Sequence, residues 1–369
     1  MRSLAIGATL ILACASHAQE PVTITDNEGN SFELTTYTNE VPSARQMAQS
    51  ESGILFVGSR RGRGNLYAVV PPTAEGKKPE VVNFESGLSM PSGLALHNGT
   101  LFVAAHNRIL RYPDIEETFR KSPEPELITD DLPKAMGHGW KYLSVGPDEF
   151  LYFNVGAPCN ICLSDDERFA SILRMDPSNG ETEVYAHGVR NTVGIEWHPD
   201  TKLMWFTDNG RDWWGDDRPP EEVNVVEKAG SHFGYPFLHG DNMPDPQFGD
   251  QRKKDVEYIK PAVNIQAHSA ALGLKFYTDD AFPNIYKNAL FIAEHGSWNR
   301  ESKVGYRVSV VRFDTGKPVY YPFVDIWLKG ERADARPADV LVANDGSLLI
   351  SDDFRGAIYR VVYKPDAES

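Results

Sequence analysis

The sequence predicts an all-β fold: a six-bladed β-propeller of four-stranded antiparallel blades around a central channel. Three observations predict it. A phrase of two apolar, β-rich strands recurs six times, turn dipeptides separate its members, and helix-period patterning is almost absent. The phrase first runs Ser52-Gly53-Ile54-Leu55-Phe56-Val57-Gly58, answered by Asn65-Leu66-Tyr67-Ala68-Val69-Val70. It returns from Asn98, Gly146, His198, Asn288 and Asn344, and its second strand often ends near Arg, as at Arg111, Arg312 and Arg360. Turn residues followed by alternating apolar positions are hairpin signals. Units about 45 to 60 residues apart match four strands per blade in a radial propeller. One wider gap, about residues 230–283, is polar and rich in Gly, Pro and His, and a long insertion in a compact fold is usually a functional loop. Residues 115–121 are expected to give one short helical turn. A β-sandwich is the structural alternative, but sandwiches do not repeat a strand-loop-strand phrase at even spacing.

The chain has 369 residues, 41% of them hydrophobic, which is enough for a sizeable core. Its formal net charge of -15 is spread along the chain and argues against a nucleic-acid partner, since phosphate contacts need clustered Lys and Arg. An anionic ligand would need positive charge concentrated in one pocket. Arg2, an apolar run from Leu4 to Ala13, and Ser16-His17-Ala18 make residues 1–18 a secretory signal peptide, too short to span a bilayer. Residues 19–369 then form a single propeller domain, periplasmic or secreted, with no transmembrane segment. A lipoprotein tether at Cys14 is the lesser alternative. Cys159 and Cys162 remain, and in an oxidising compartment such a close pair reads first as a disulfide pinning a loop. A thioredoxin-like role lacks its βαβ context, Leu163 stands where haem attachment needs His, and a four-cysteine zinc site lacks its second pair.

Ligands of propellers sit where loops converge on the channel, so loop motifs carry most weight. His138, between Gly137 and Gly139, offers an imidazole suited to taking a hydroxyl proton; the plainer reading is a His satisfying a buried carbonyl. Arg190 and Asn191 can hold a carboxylate or a developing oxyanion, or merely brace a turn. The turn Asp208-Asn209-Gly210-Arg211-Asp212 offers hard oxygen ligands for Ca²⁺ from Gly210, Arg211 and Asp212, although an acidic solvated loop looks the same. Trp298 offers a face to a planar ring and Arg300 a charge to its substituents, against the simpler reading of a lid on the core. Arg336 opens the sixth unit and means little alone. No Gly-rich phosphate cradle leads into a helix and no Gly-x-Ser-x-Gly occurs, which disfavours Rossmann cofactors and α/β-hydrolases. The residues by themselves indicate a channel enzyme with a cation and an anion-binding wall.

Residues 137–141, 156–162, 188–194, 208–212 and 293–300, in that order, resemble the soluble pyrroloquinoline quinone-dependent glucose and aldose sugar dehydrogenases, with the sorbosone dehydrogenase-like proteins the nearest branch. The resemblance covers nearly all of the chain after residue 18. It implies a planar ortho-quinone with three carboxylates over the channel, coordinated to calcium, and oxidation of an aldose or sorbosone-like sugar by hydride transfer. It implies His138 as general base, Arg190 and Asn191 near the quinone oxygens, carbonyls of Gly210 and Arg211 on calcium, and Arg336 on a carboxylate of the cofactor. Electrons would pass to a quinone or a cytochrome. Three departures stand out. Gly210-Arg211 replaces Gly-Pro in the calcium turn, Ala338 stands where a second Arg is usual, and the fifth-blade Lys has no clear counterpart. Arg300 or Lys303 can substitute for that Lys, and Arg45 or Arg60 can supply the missing charge. A calcium-dependent propeller lactonase or esterase, and a non-catalytic binding propeller, are the alternative readings.

Overall fold

The computed structural model describes residues 20–74, 76–313 and 316–365, so the expected signal peptide and Cys14 lie outside the described residues. The described chain is nearly all strand, arranged as six antiparallel blades in a ring. The first strands of the blades are Ala44–Gln49, Gly93–His97, Leu143–Val145, Ile195–Trp197, Ala271–Phe276 and Pro337–Val342. Each touches the next around the ring, and the last touches the first. Four blades are built from consecutive strands, and in blade four a separate hairpin intervenes before the last strand. The sixth is completed from the other end of the chain, where Ser31–Thr38 pairs antiparallel with Ala357–Tyr363 and Val22–Thr25 adds an outermost strand.

Second strands such as Leu55–Ser59, Leu151–Val155, Leu290–Glu294 and Leu348–Asp352 are buried along their whole length, because a neighbouring blade covers each face. That explains their continuous apolar runs. Fourth strands such as Thr182–His187 lie at the outside and are mostly polar or half-buried. Aromatic rings fill the spaces between blades. Phe32 meets Phe282 and Phe323 edge to face, and Trp205 meets Phe276 and Phe313.

The channel is tied across by polar side chains. Gln46 donates from Nε2 to the Leu143 carbonyl at 2.6 Å, and its Oε1 accepts from the N–H groups of Leu94 and Leu143, both at 2.9 Å. Asp339 accepts from the Met47 N–H at 2.8 Å and the Tyr142 hydroxyl at 3.2 Å. Gly273 is required beside it, since a Cβ there would lie 2.0 Å from Asp339 Oδ1.

The repeated phrases form the second and third strands of their blades. The motifs after Met204–Asp208 and Leu290–Glu294 therefore follow second strands, not the innermost ones. The wide gap divides into the fourth strand of blade four, Val263–Ile265, the first strand of blade five, and a true insertion before them. That insertion carries the hairpin of Leu238–His239 with Met243–Pro244 and a 3-10 turn, Gly249–Gln251. The helical turn appears as Ile115–Thr118 followed by Phe119–Lys121.

Candidate active site

Strands alternate in direction within each blade, so every loop from a second to a third strand, and every link from one blade to the next, emerges at the same end of the ring. All the sequence motifs lie on these two loop types. The links into blades three, four and six carry His138, Arg190 with Asn191, and Arg336. The second-to-third loops of blades three, four and five carry the cysteines, residues 209–212, and Trp298 with Arg300.

His138 adopts a left-handed φ of 49° and packs on Gly156, where a Cβ would come 2.5 Å from its own Cβ. Its Nδ1 lies 2.8 Å from the Ala157 carbonyl, which can only accept, so Nδ1 carries the proton and Nε2 presents a lone pair. Burial, then the nearby Arg190 charge, push its pKa down to about 4. The imidazole is therefore neutral at ordinary pH.

Arg190 is held on every side. Its Nε donates to the Asn160 carbonyl at 2.8 Å, Nη1 to the Asn209 carbonyl at 3.0 Å, and Nη2 to Asn160 Oδ1 at 2.8 Å and Asp212 Oδ2 at 3.2 Å. One of the five guanidinium N–H groups, on Nη1, is left without a partner among the described residues. Buried Asp208 accepts from the backbone N–H groups of Arg190 and Asn191 at 2.8 and 2.6 Å, which fixes the turn, and burial raises its pKa to about 6. Asn191 Oδ1 is buried with no partner among the described residues.

A second cationic wall stands on blades one and six. Arg45 and Arg60 lie 3.3 and 3.7 Å from Asp353 Oδ2, and each guanidinium lies 5.7 Å from the Trp140 ring centre. Arg336 donates to the carbonyls of His295 and Gly296 at 3.1 and 2.8 Å and stands over Tyr306. His295 Nε2 meets Asp353 Oδ1 at 2.9 Å, and burial keeps this His neutral, with its pKa lowered to about 4. Asp352 spends its oxygens on the N–H groups of Arg336, Phe354 and Arg355 and on the Tyr359 hydroxyl. Arg45 and Arg60 thus share the single carboxylate of Asp353, Arg336 has only backbone carbonyls, and buried Arg45 Nε and Nη1 make no hydrogen bond. That surplus suits a polycarboxylate. It also gives Arg45 and Arg60, whose place sequence reading left open, a common position with Arg336.

The turn at 208–212 sits over two buried glutamates. Glu221 accepts from the Gly210 N–H at 2.5 Å, and Glu222 from Gly240 and Asn224; burial pushes both up to about 8. The Arg211 side chain turns into the insertion to meet Asp245 at 2.7 Å, and the Asp212 carboxylate faces Arg190. Among the described residues no three His, Cys, Asp or Glu side chains converge to hold a cation. The Gly210 and Arg211 carbonyls take no hydrogen bond from any described residue, and they are the oxygens a hard cation would meet there.

Trp298 and Trp213 are 64% and 69% exposed and pack edge to face with ring centres 5.3 Å apart. Their loops are stitched together by Arg300, which donates to the Asp216 carbonyl and to Asp217, while His268 on the link into blade five meets the Gly215 carbonyl at 2.8 Å. Lys303 is engaged with Glu331 and does not join the cationic wall. The disulfide joins Cys159 and Cys162. Sequence reading passed over Trp213, Asn160, His295 and Asp353; of these only Asn160, inside the cysteine loop and flanked by both cysteines, carried a local signal.

A family model described as TrAA12-like matches residues 28–364. An uncharacterized protein of Borreliella burgdorferi is 31% identical over 369 residues, covering 96% of this chain and 95% of the relative. Two solved structures share the fold. An enzyme of the carbohydrate-active family AA12 from Trichoderma reesei superposes with a TM-score of 0.72 at 19% identity, over 96% of this chain and 100% of its own. The holo form of the PQQ domain of pyranose dehydrogenase from Coprinopsis cinerea gives 0.73 at 18% identity, over 95% and 99%.

Proposed function

Since this chain belongs to the TrAA12-like family of pyrroloquinoline quinone-dependent oxidoreductases, we propose that it oxidises a sugar hydroxyl, with His138 as the base and the quinone bound between the two arginine walls. The observation that carries this reading is the local excess of guanidinium at Arg45, Arg60 and Arg336 in a chain of net charge -15. The same link that bears His138 bears Trp140, which packs against Arg45 and Arg60, so base and cationic wall adjoin. When bound, the quinone supplies a two-electron acceptor for the hydride leaving the carbinol carbon. His138 Nε2 takes the hydroxyl proton, so the sugar loses a proton and a hydride together. The free N–H of Arg190, aided by the Asn191 side chain, faces developing negative charge from a position set in advance. Arg45, Arg60 and Arg336 hold carboxylates by charge-assisted hydrogen bonds. Calcium is assigned to the carbonyls of Gly210 and Arg211, and no step is given to it.

The paired indoles of Trp213 and Trp298 flank both walls: Trp213 directly follows Asp212, and Trp298 lies two residues after Gly296. Their apolar faces suit the C–H face of a sugar ring entering the mouth. Electrons then leave to a quinone or cytochrome. The disulfide supports an oxidising, periplasmic or secreted, setting. The test is titration of purified apo-protein with pyrroloquinoline quinone, with and without calcium, followed by dye reduction over aldoses and sorbosone. Saturable binding with sugar-driven reduction is expected; no binding under either condition overturns the reading.

A further inference from the structure

The loop that carries the disulfide touches both reactive residues. The Ala157 carbonyl accepts from His138 Nδ1–H, and the Ala157 N–H donates to the Arg190 carbonyl at 2.8 Å. Asn160, inside the disulfide ring, does more. Its carbonyl and its Oδ1 accept two of the Arg190 guanidinium bonds, both at 2.8 Å. The same Oδ1 accepts from the Asp212 N–H at 2.8 Å, and Nδ2 donates to the Asp212 carbonyl at 3.1 Å. One side chain thereby joins the link into blade four to the turn that follows the second strand of that blade. A planar guanidinium anchored at Nε and Nη2 has no rotation left, so the direction of its remaining Nη1 N–H is set by Asn160.

The loop in turn is pinned from outside. Besides the Cys159–Cys162 bond, the Cys162 N–H donates to the Tyr235 hydroxyl at 3.0 Å. Gly137, next to His138, leaves no space against the Pro158 carbonyl, which a Cβ would approach to 2.7 Å. The loop therefore cannot shift without moving the residues beside the base.

We infer that Asn160 is the positioning residue for Arg190, and that the Cys159–Cys162 disulfide serves to hold Asn160 in place. Resting on the reading that the quinone lies against Arg190, this makes the disulfide part of cofactor binding rather than a general stabiliser. A charge-assisted hydrogen bond lost from a buried guanidinium corresponds to about a tenfold effect or more.

The experiment compares Asn160→Ala, Asn160→Ser and the double variant Cys159→Ser/Cys162→Ser with the parent chain. Two readouts are taken: quinone affinity of the apo-protein by absorbance titration, and titration of the His138 imidazole by NMR without cofactor. For Asn160→Ala, quinone affinity falls about tenfold and the His138 titration moves upward as the guanidinium swings away. Asn160→Ser keeps the carbonyl and a neutral side-chain group that both accepts and donates, and brings both readouts back toward the parent values. The cysteine variant shifts both in the same direction as Asn160→Ala, but less. Parent-like values of both readouts in Asn160→Ala overturn the inference, as does an Asn160→Ser variant that recovers neither readout. If the parent chain binds no quinone while Asn160→Ala still moves the His138 titration, the cofactor reading has failed and the positioning of Arg190 stands.

Discussion

Two arginine walls face the same mouth and differ in how well the protein satisfies them. Arg190 has four of its N–H groups bonded to Asn160, Asn209 and Asp212. Arg45, buried on the other side, has Nε and Nη1 without hydrogen bonds and shares Asp353 with Arg60. A charge that its own fold has largely satisfied is fixed in direction and meets a ligand through its one remaining N–H. A charge left short of acceptors in a buried place raises the energy of the empty protein and is repaid when an anion binds. Blade four thus supplies orientation with part of the affinity, and blades one and six supply the larger part of it.

The largest expected effect tests what the oriented side serves. Replacing His138 with Ala lowers turnover by about 10²–10⁴-fold, measured by dye reduction at saturating sugar, with quinone affinity nearly unchanged. Because the His138 pKa is lowered to about 4, the parent's turnover stays level above that pH and falls only below it, which a pH–rate profile reads directly. Next, Arg45→Met weakens quinone binding by about 10-fold or more while leaving the melting temperature of the apo-protein unchanged or raised, since the buried Nε and Nη1 of Arg45 have no hydrogen bonds to lose. Arg190→Ala does the reverse to stability, lowering the melting temperature, because Asp212 and the Asn160 acceptors lose their partner. Equal behaviour of the two arginine variants would erase the contrast between the walls.

A smaller effect falls on the rim. Trp213→Ala raises KM for the sugar severalfold with kcat nearly kept, if measured with quinone saturating, because the indole meets sugar and not the reacting atoms. The smallest concerns pH and the channel. Burial raises Asp339 to about 7 and Glu222 to about 8, both above ordinary carboxylate values. The folded protein holds these protons where the unfolded chain has already released them, so unfolding releases protons in this window and is favoured by rising pH. The melting temperature therefore declines between about pH 5 and pH 8, and Asp339→Asn, which titrates no proton, makes that decline shallower.

The architecture was legible because blade geometry writes itself into local sequence. Second strands are covered on both faces and run apolar for most of their length, as Leu290-Phe291-Ile292-Ala293 does before Glu294, and turns bound them. Which strand of the blade it was could not be read, since nothing local separates a first strand from a second. The site residues on Gly-bounded loops were legible for a related reason: His138 needs Gly156 beneath it, and such close approaches leave glycines in the sequence. The grouping of Arg45, Arg60 and Arg336 was not, because it depends on closing the ring between residues nearly 300 positions apart. Asp353 and His295 were hidden likewise. Each is an ordinary residue at a strand end, and their pairing across blades five and six exists only once the strands are placed.

The clasp that completes blade six has a temporal consequence. Ser31–Thr38 is made long before its partner Ala357–Tyr363. Until that partner emerges the early strand presents an unpaired edge, and the ring can shut only once all the blades between them exist. Joining the two ends by a short linker and opening the chain at a loop between other blades would make the clasp local in sequence, and such a permuted chain should close its ring faster while keeping the same mouth.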